Sequence, residues 1–307
     1  MMTVRQSQWR VAVLGPGAIG GLLAGLLARD GHRVVCIGRQ ATVDALRIHG
    51  LTVHSNLFGE FTVPVEAQTD LRGSVDVCLF ATKATSLESA LARVPPPVLG
   101  KGLIVPFLNG IEHLALLRKG YPADRVVPAT IRAESVLVTA GVVLHTSPFA
   151  SVELASNEAA SDGIATLAAQ LTHSGIDVNL RDDETAMLWG KLCFLAPLAL
   201  LTTDKQAPVG NVRGEWRNEL VALVAEVASV ARAEGAPADE RGVLELLDQV
   251  PASMQSSMQK DAIAGRPVEI DAIGGVVVRA AVRHGIAVPT TARIVEEIRA
   301  RYGRPAG

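Results

Sequence analysis

Residues 10–39 read RVAVLGPGAIGGLLAGLLARDGHRVVCIGR, and the fold of the chain turns on this stretch. Val11 to Leu14 is a short apolar run stopped by glycine, the pattern of a strand buried on both faces. Gly15-Pro16-Gly17 breaks it, and the small and apolar residues from Ala18 onward carry a helix that ends near Asp30-Gly31. A second strand, Arg33 to Ile37, follows at once. A rival reading exists, because residues 11–28 are uncharged and follow Arg5 and Arg10 as in an export signal. Pro16 and the glycines at 15, 17, 20, 21 and 25 interrupt that apolar run, and an export signal has no use for the second strand. Neither a signal peptide nor a membrane anchor is therefore expected.

Strand, turn, helix and second strand arrive in order within about thirty residues, the setting that gives G-x-G-x-x-G its meaning. Gly15 permits the tight turn, Gly17 lets a pyrophosphate approach the backbone, and Gly20 lets helix pack on strand. Ala18 and Ile19 open the helix, whose positive end faces the phosphates. The stretch predicts a dinucleotide-binding Rossmann domain with Gly15, Gly17, Ala18, Ile19 and Gly20 at the cofactor. The end of the second strand reports which dinucleotide. NAD sites usually carry an Asp or Glu there for the ribose 2′-hydroxyl, whereas this chain has Gly38-Arg39. Arg39 offers a planar, permanently charged fork to a 2′-phosphate, with Thr42 as a neutral helper, so NADP is the expected cofactor. The plainer reading of Arg39 is an exposed loop arginine.

Outward from this stretch the alternation continues. Apolar strands at 75–82 and 102–110 flank a helix-like 86–94 that ends before Pro95-Pro96-Pro97, which predicts a parallel sheet. Lys83 and Asn109 follow those strands at the carboxyl edge, where open α/β sheets bind ligands. Each also has a plainer reading, a solvated loop charge for Lys83 and a positive-φ turn for Asn109-Gly110. From Arg125 to Leu180 more strand is expected, including a hairpin at Thr139-Ala140-Gly141, then a helix over 161–171 and a short strand over 176–180. Past Arg181-Asp182-Asp183 nearly everything reads as helix. Leu220, Leu223, Val224 and Val227 share one stripe, and a small-residue helix over 270–285 closes at Gly285. The expected domains are 1–182, Rossmann, and 183–307, all-helical. The first nine residues and the tail from Gly303 are expected to be loosely held.

A chain of 307 residues, 49% hydrophobic and 20% charged, has the composition of a soluble globular protein of two domains. Its net charge of −2, with no dense basic block, gives no footprint for nucleic acid or an anionic membrane, so a small-molecule partner is expected. Cys36, Cys78 and Cys193 are far apart and lack a C-x-x-C pair, which points to reduced thiols in the cytoplasm rather than disulfides or zinc. The seven histidines lack paired ligand spacing, and no metal is expected. A homodimer through the helical half stays open.

Residues 187–203, MLWGKLCFLAPLALLTT, hold one charge, Lys191, in an apolar run. One reading is a surface lysine whose stem lies along apolar neighbours while its ammonium reaches water. The other is a proton donor inside a site. Pro197 has no N–H for the carbonyl of Cys193, which predicts a kink close to the lysine.

GPGAIG, ATKATSLESAL, LNGIEH, WGKL and SSMQKDAIAGRPVEIDAIGG occur in an order and spacing that resemble the 2-dehydropantoate 2-reductase, or ketopantoate reductase, family over nearly the whole chain. The last motif is the most specific. The resemblance implies an NADPH-dependent reductase of a 2-oxo acid, with 2-dehydropantoate reduced to (R)-pantoate in pantothenate biosynthesis. Carried over by motif, it implies Lys191 as the catalytic lysine, Glu269 as a glutamate beside the reacting centre, and Ser257 as the holder of the substrate carboxylate. Lys83 and Asn109 match cofactor-cleft and substrate-cleft residues, and Gly15, Gly17, Gly20 and Arg39 the NADP site. An ammonium beside a ketone both stabilises the alkoxide formed by hydride arrival and donates its proton. Glu269 and Ser257 have plainer readings too, an acid complementing a helix dipole and a serine on a polar helix face. Members assigned to ketopantoate commonly carry asparagines where this chain has Leu195 and Ala199, on the Lys191 side of the helix. A paralogous reductase of a more apolar 2-oxo acid is therefore an alternative, and a non-catalytic NADP-sensing protein a second one.

Overall fold

The computed structural model describes residues 8–155 and 161–303, so most of the two loosely held ends expected above lie outside the described residues. Gln8 and Trp9, expected to be loose, are instead tied down. The Gln8 amide donates to the Gly31 carbonyl at 2.7 Å and Trp9 packs against the core. The chain forms two compact units. The first runs through Leu108 and resumes over His113–Asp182, and the second comprises Asn109–Glu112 and everything from Asp183.

Strands of the first unit are β1 (Arg10–Leu14), β2 (Arg33–Ile37), β3 (Leu51–Ser55), β4 (Gly59–Val63), β5 (Glu66–Gln68), β6 (Val77–Phe80) and β7 (Leu103–Pro106). Five of them form a wholly parallel sheet in the order β5-β2-β1-β6-β7. Val11 of the central strand pairs with Val34 on one side and Val77 on the other, and residues 11–14 are at most 1% exposed. Continuous burial on both faces explains why these strands read as unbroken apolar runs rather than alternating ones. The order reverses between β1 and β6, so the loops leaving those two strands stand side by side at the carboxyl edge, where doubly wound sheets bind ligands.

Helix Ala18–Arg29 is apolar on every side because it is covered on every side. After β8 (Ala129–Arg132), the hairpin β9 (Ser135–Thr139) and β10 (Val142–His145) turns at Gly141, whose φ is +83°, as the sequence led us to expect. These strands join the β3–β4 hairpin in a second sheet, β4-β3-β10-β9. A Cβ at Gly21 would fall 2.6 Å from the Val143 side chain, and one at Gly25 equally close to Val53. The glycines thus let the second sheet lie close against the helix. Two further strands, β11 (Ser151–Ala155) and β12 (Asp177–Arg181), complete a third sheet with β8.

The second unit is helical. Helix Glu184–Lys205 is capped by Asp183, whose carboxylate accepts from the Ala186 amide at 2.9 Å. It packs against helices Arg217–Ala233, Ser257–Ile263 and Pro289–Tyr302. Leu220, Leu223, Val224 and Val227 are buried in that core along their expected stripe. Pro197 leaves the helix continuous over its 22 residues, absorbed as a fully packed core residue. This helix is long and apolar enough to cross a membrane by length and composition alone, yet two-thirds of its most apolar window is buried within the fold, which is what a core helix requires. The helix expected over 270–285 is interrupted. Asp271–Gly275 forms a π-helical turn, followed by an α-helix over Val276–His284 that ends at Gly285, φ +65°.

Candidate active site

Each glycine of the first turn answers to a different constraint. Gly15 adopts φ +86°, and its amide donates to the Ile37 carbonyl, pinning the loop to β2. A Cβ there would sit 3.0 Å from the Thr82 nitrogen, in the loop leaving β6. Gly20 is closer still, since a Cβ would lie 2.2 Å from the Gly15 carbonyl oxygen. Around Gly17 the protein offers no such crowding, the nearest atom to a Cβ being 4.0 Å away. Protein sterics leave this position open, which is the space a pyrophosphate needs against the backbone. The helix start has no side-chain cap and no acid in its first turn, so its positive end is left for an anion.

Arg39 follows β2 as the residue preceding helix Gln40–His49. It is exposed, and its guanidinium has no hydrogen-bond or ion-pair partner among the described residues. No carboxylate stands at Gly38, the position where a ribose-binding acid would be. Lys83 stands half-buried at the start of helix Ala84–Leu91, beside the same carboxyl edge. These residues fit a nicotinamide dinucleotide.

In the second unit, Lys191, Asn109 and Glu269 come together from three parts of the chain. The Lys191 ammonium donates to Asn109 Oδ1 at 3.3 Å, and Asn109 Nδ2 donates to Glu269 Oε2 at 3.0 Å. The orientation of the amide is fixed by its neighbours, because a flip would set its NH₂ against an ammonium and its oxygen against a carboxylate. Lys191 is half-buried beside the buried Leu192, and its ammonium is held by the Asn109 side chain. Glu269 is 8% exposed and immediately precedes the helical segment beginning at Ile270, where a carboxylate complements the helix dipole.

Sequence reasoning missed how Asn109 reaches this place. Gly110, φ +81°, lies so close to the π turn that a Cβ would be 2.3 Å from the Ala272 carbonyl oxygen. Its glycine was visible as a turn signal, whereas the close approach was not. Ile111 packs on the helical core, and Glu112 pairs with Arg279. Gly110, Ile111 and Glu112 all lie in the LNGIEH motif, which does not by itself announce these contacts.

Ser257 is not bonded into the cluster. It is exposed in the first turn of helix Ser257–Ile263, and no hydrogen bond joins it to Lys191, Asn109 or Glu269 among the described residues. The neighbouring Ser256 is the cap, its hydroxyl accepting from the Gln259 amide and bonding the Thr202 hydroxyl at 2.8 Å. Of the two apolar positions below Lys191, Ala199 is wholly buried and Leu195 keeps some exposed surface. The thiols are poor nucleophiles, because burial pushes Cys36 up to about 12 and Cys193 up to about 11, and raises Cys78 as well.

Residues 11–158 match the family described as ketopantoate reductase PanE/ApbA, and residues 183–302 its C-terminal counterpart. A 2-dehydropantoate 2-reductase of Caulobacter vibrioides is 30% identical over 93% of this chain and 96% of its own length. The crystal structure of a PanE/ApbA family ketopantoate reductase from Ralstonia eutropha JMP134 superposes with a TM-score of 0.86 at 29% identity, over 97% of this chain and 100% of that one. A D-mandelate dehydrogenase solved with NADH and anilino(oxo)acetate shares the fold, with a TM-score of 0.88 at 24% identity over 96% of this chain and 98% of that one.

Proposed function

Because the chain belongs to the ketopantoate reductase PanE/ApbA family, and is thereby an NAD(P)-dependent oxidoreductase, we propose that it uses NADPH to reduce 2-dehydropantoate to (R)-pantoate. The observation that carries this reading is the Lys191–Asn109–Glu269 cluster. An ammonium has three N–H donors, the number that lets one lysine serve its protein partners and a substrate oxygen in turn.

In this reading the bound nicotinamide supplies the hydride. Lys191 stabilises the oxygen of the accepting ketone as it becomes an alkoxide and passes it a proton from Nζ. Asn109 fixes the direction of the ammonium. Glu269 holds the amide from the other side and counters the lysine's charge. Ser257 is assigned to the substrate carboxylate on the strength of its motif alone. Gly15, Gly17, Ala18, Ile19 and Gly20 cradle the diphosphate, Lys83 lies along the cofactor, and Arg39 takes the 2′-phosphate.

Leu195 favours a second reading, a more apolar 2-oxo acid. It stands one helical turn from Lys191, on the same side, and offers no hydrogen bond to a substrate hydroxyl. A site without that partner loses its discrimination for hydroxylated substrates.

The test follows NADPH consumption with 2-dehydropantoate and a panel of branched, linear and aromatic 2-oxo acids, using wild type and Lys191→Ala. We expect turnover of 2-dehydropantoate whose kcat falls by about 10²- to 10⁴-fold in the variant. Lysine-dependent turnover of another acid alone would establish the second reading. Tight NADPH binding with no turnover of any acid would make the protein a non-catalytic NADP binder.

A further inference from the structure

We propose that Arg279 is a positioning residue, which holds Asn109 between Lys191 and Glu269 by gripping Glu112 at the far end of a four-residue segment. The proposal rests on the reading of those three residues as the reacting site. Asn109–Glu112 belongs to the helical unit but contains no strand or helix of its own, so its place is set by whatever fixes its ends. At one end Gly110 abuts the Ala272 carbonyl. At the other, Arg279 Nε donates to Glu112 Oε1 at 2.9 Å, and its Nη2 reaches Glu112 Oε2 in a fork-to-fork pair.

The same Nη2 donates to the Asp271 carbonyl at 2.8 Å, so the guanidinium ties the segment directly to the π turn. That turn begins two residues after Glu269 and is held again by Arg299, whose Nε donates to the Asp271 carboxylate at 3.1 Å. Gly275 keeps the space open, since a Cβ there would lie 2.9 Å from Arg279 Nη1. The clamp therefore ties the segment that carries Asn109 to the turn that follows Glu269. An isolated ion pair with side chains 42% and 47% exposed adds little to stability. Its effect is expected on geometry, where a displacement of about 1 Å costs up to 10²-fold in rate.

Arg279→Ala, Arg279→Lys and Glu112→Gln in the full-length protein test this in two ways. By hydrogen exchange, peptides covering 109–112 should exchange faster in Arg279→Ala and Glu112→Gln while the unfolding midpoint stays near wild type. Unchanged exchange overturns the clamp, whether or not a substrate has been found. By kinetics with NADPH and the best 2-oxo acid, both variants should lose about 10- to 100-fold in kcat with little change in KM for NADPH, and Arg279→Lys, which restores charge without the fork, should recover only part. In an Asn109→Ala background, Arg279→Ala should cost nothing further. A full additional loss there, or wild-type kcat in both single variants, would overturn the proposal. Wild-type protein that turns over no 2-oxo acid refutes the proposed function and leaves the exchange result to decide the clamp.

Discussion

Gly17 and Gly20 are identical residues at one helix start, and they meet different constraints. A methyl at position 20 would meet a backbone oxygen at 2.2 Å, and backbone cannot swing aside as a side-chain tip can. We predict that Gly20→Ala lowers the unfolding free energy by about 1–3 kcal/mol, the ordinary penalty of overpacking. A methyl at position 17 meets open space, so Gly17→Ala should fold with a loss below about 1 kcal/mol, typical of an altered helix cap, while NADPH binding drops sharply. Denaturant melts and cofactor titration on the two variants separate the cases. Equal stability loss in both, or undiminished binding in Gly17→Ala, would contradict the assignment. The crowding at Gly20 was legible in the sequence because the glycines sit within one strand–turn–helix unit. Asn109 and Glu269, 160 positions apart, carry no such local signal, and only their motifs hinted that they meet.

Elements show where local reading stops. The strands of the parallel sheet and the stripe of helix Arg217–Ala233 were legible because burial imposes period and composition. The π turn was not, since the segment it meets at Gly110 comes from elsewhere in the chain, and π turns occur often at functional sites. Nor does the sequence announce what β10 contributes. Its His145 is 1% exposed, with Nδ1 bonded to the Ser55 hydroxyl at 2.9 Å and Nε2 to the Ser147 hydroxyl at 2.9 Å. Desolvation lowers its pKa below 6.5, against opposing contributions from the Phe149 carbonyl and Glu134, and burial also lowers His32. A histidine depressed in the folded state stabilises the fold above its unfolded pKa, and that stability is lost as pH falls through the folded value. The unfolding midpoint should therefore decline as pH drops below about 6.5, and His145→Gln should flatten part of that slope, with His32 supplying the remainder. A slope unchanged in the variant would show that His145 does not charge on unfolding.

At the scale of the molecule, cofactor choice couples one exposed side chain to the stability of the chain. A ligand that binds only the folded protein raises its unfolding free energy by about 2.7 kcal/mol at a concentration 100 times Kd. Arg39 has no partner among the described residues, so its removal costs the empty fold nothing that the structure records. Its whole effect should fall on the 2′-phosphate, where losing a charge-assisted pair costs about 1.5–3 kcal/mol. We predict that Arg39→Ala leaves the melting temperature of the free protein unchanged and weakens NADPH binding by roughly 10- to 100-fold. Binding of NADH, which lacks that phosphate, should stay within about twofold of its wild-type value, because the interaction removed was never made to it. Thermal shifts measured against both cofactors give the two affinities in one experiment. If Arg39→Ala weakens NADH and NADPH alike, Arg39 serves the shared part of the dinucleotide, and selectivity for NADP must then come from elsewhere at the carboxyl edge of the sheet.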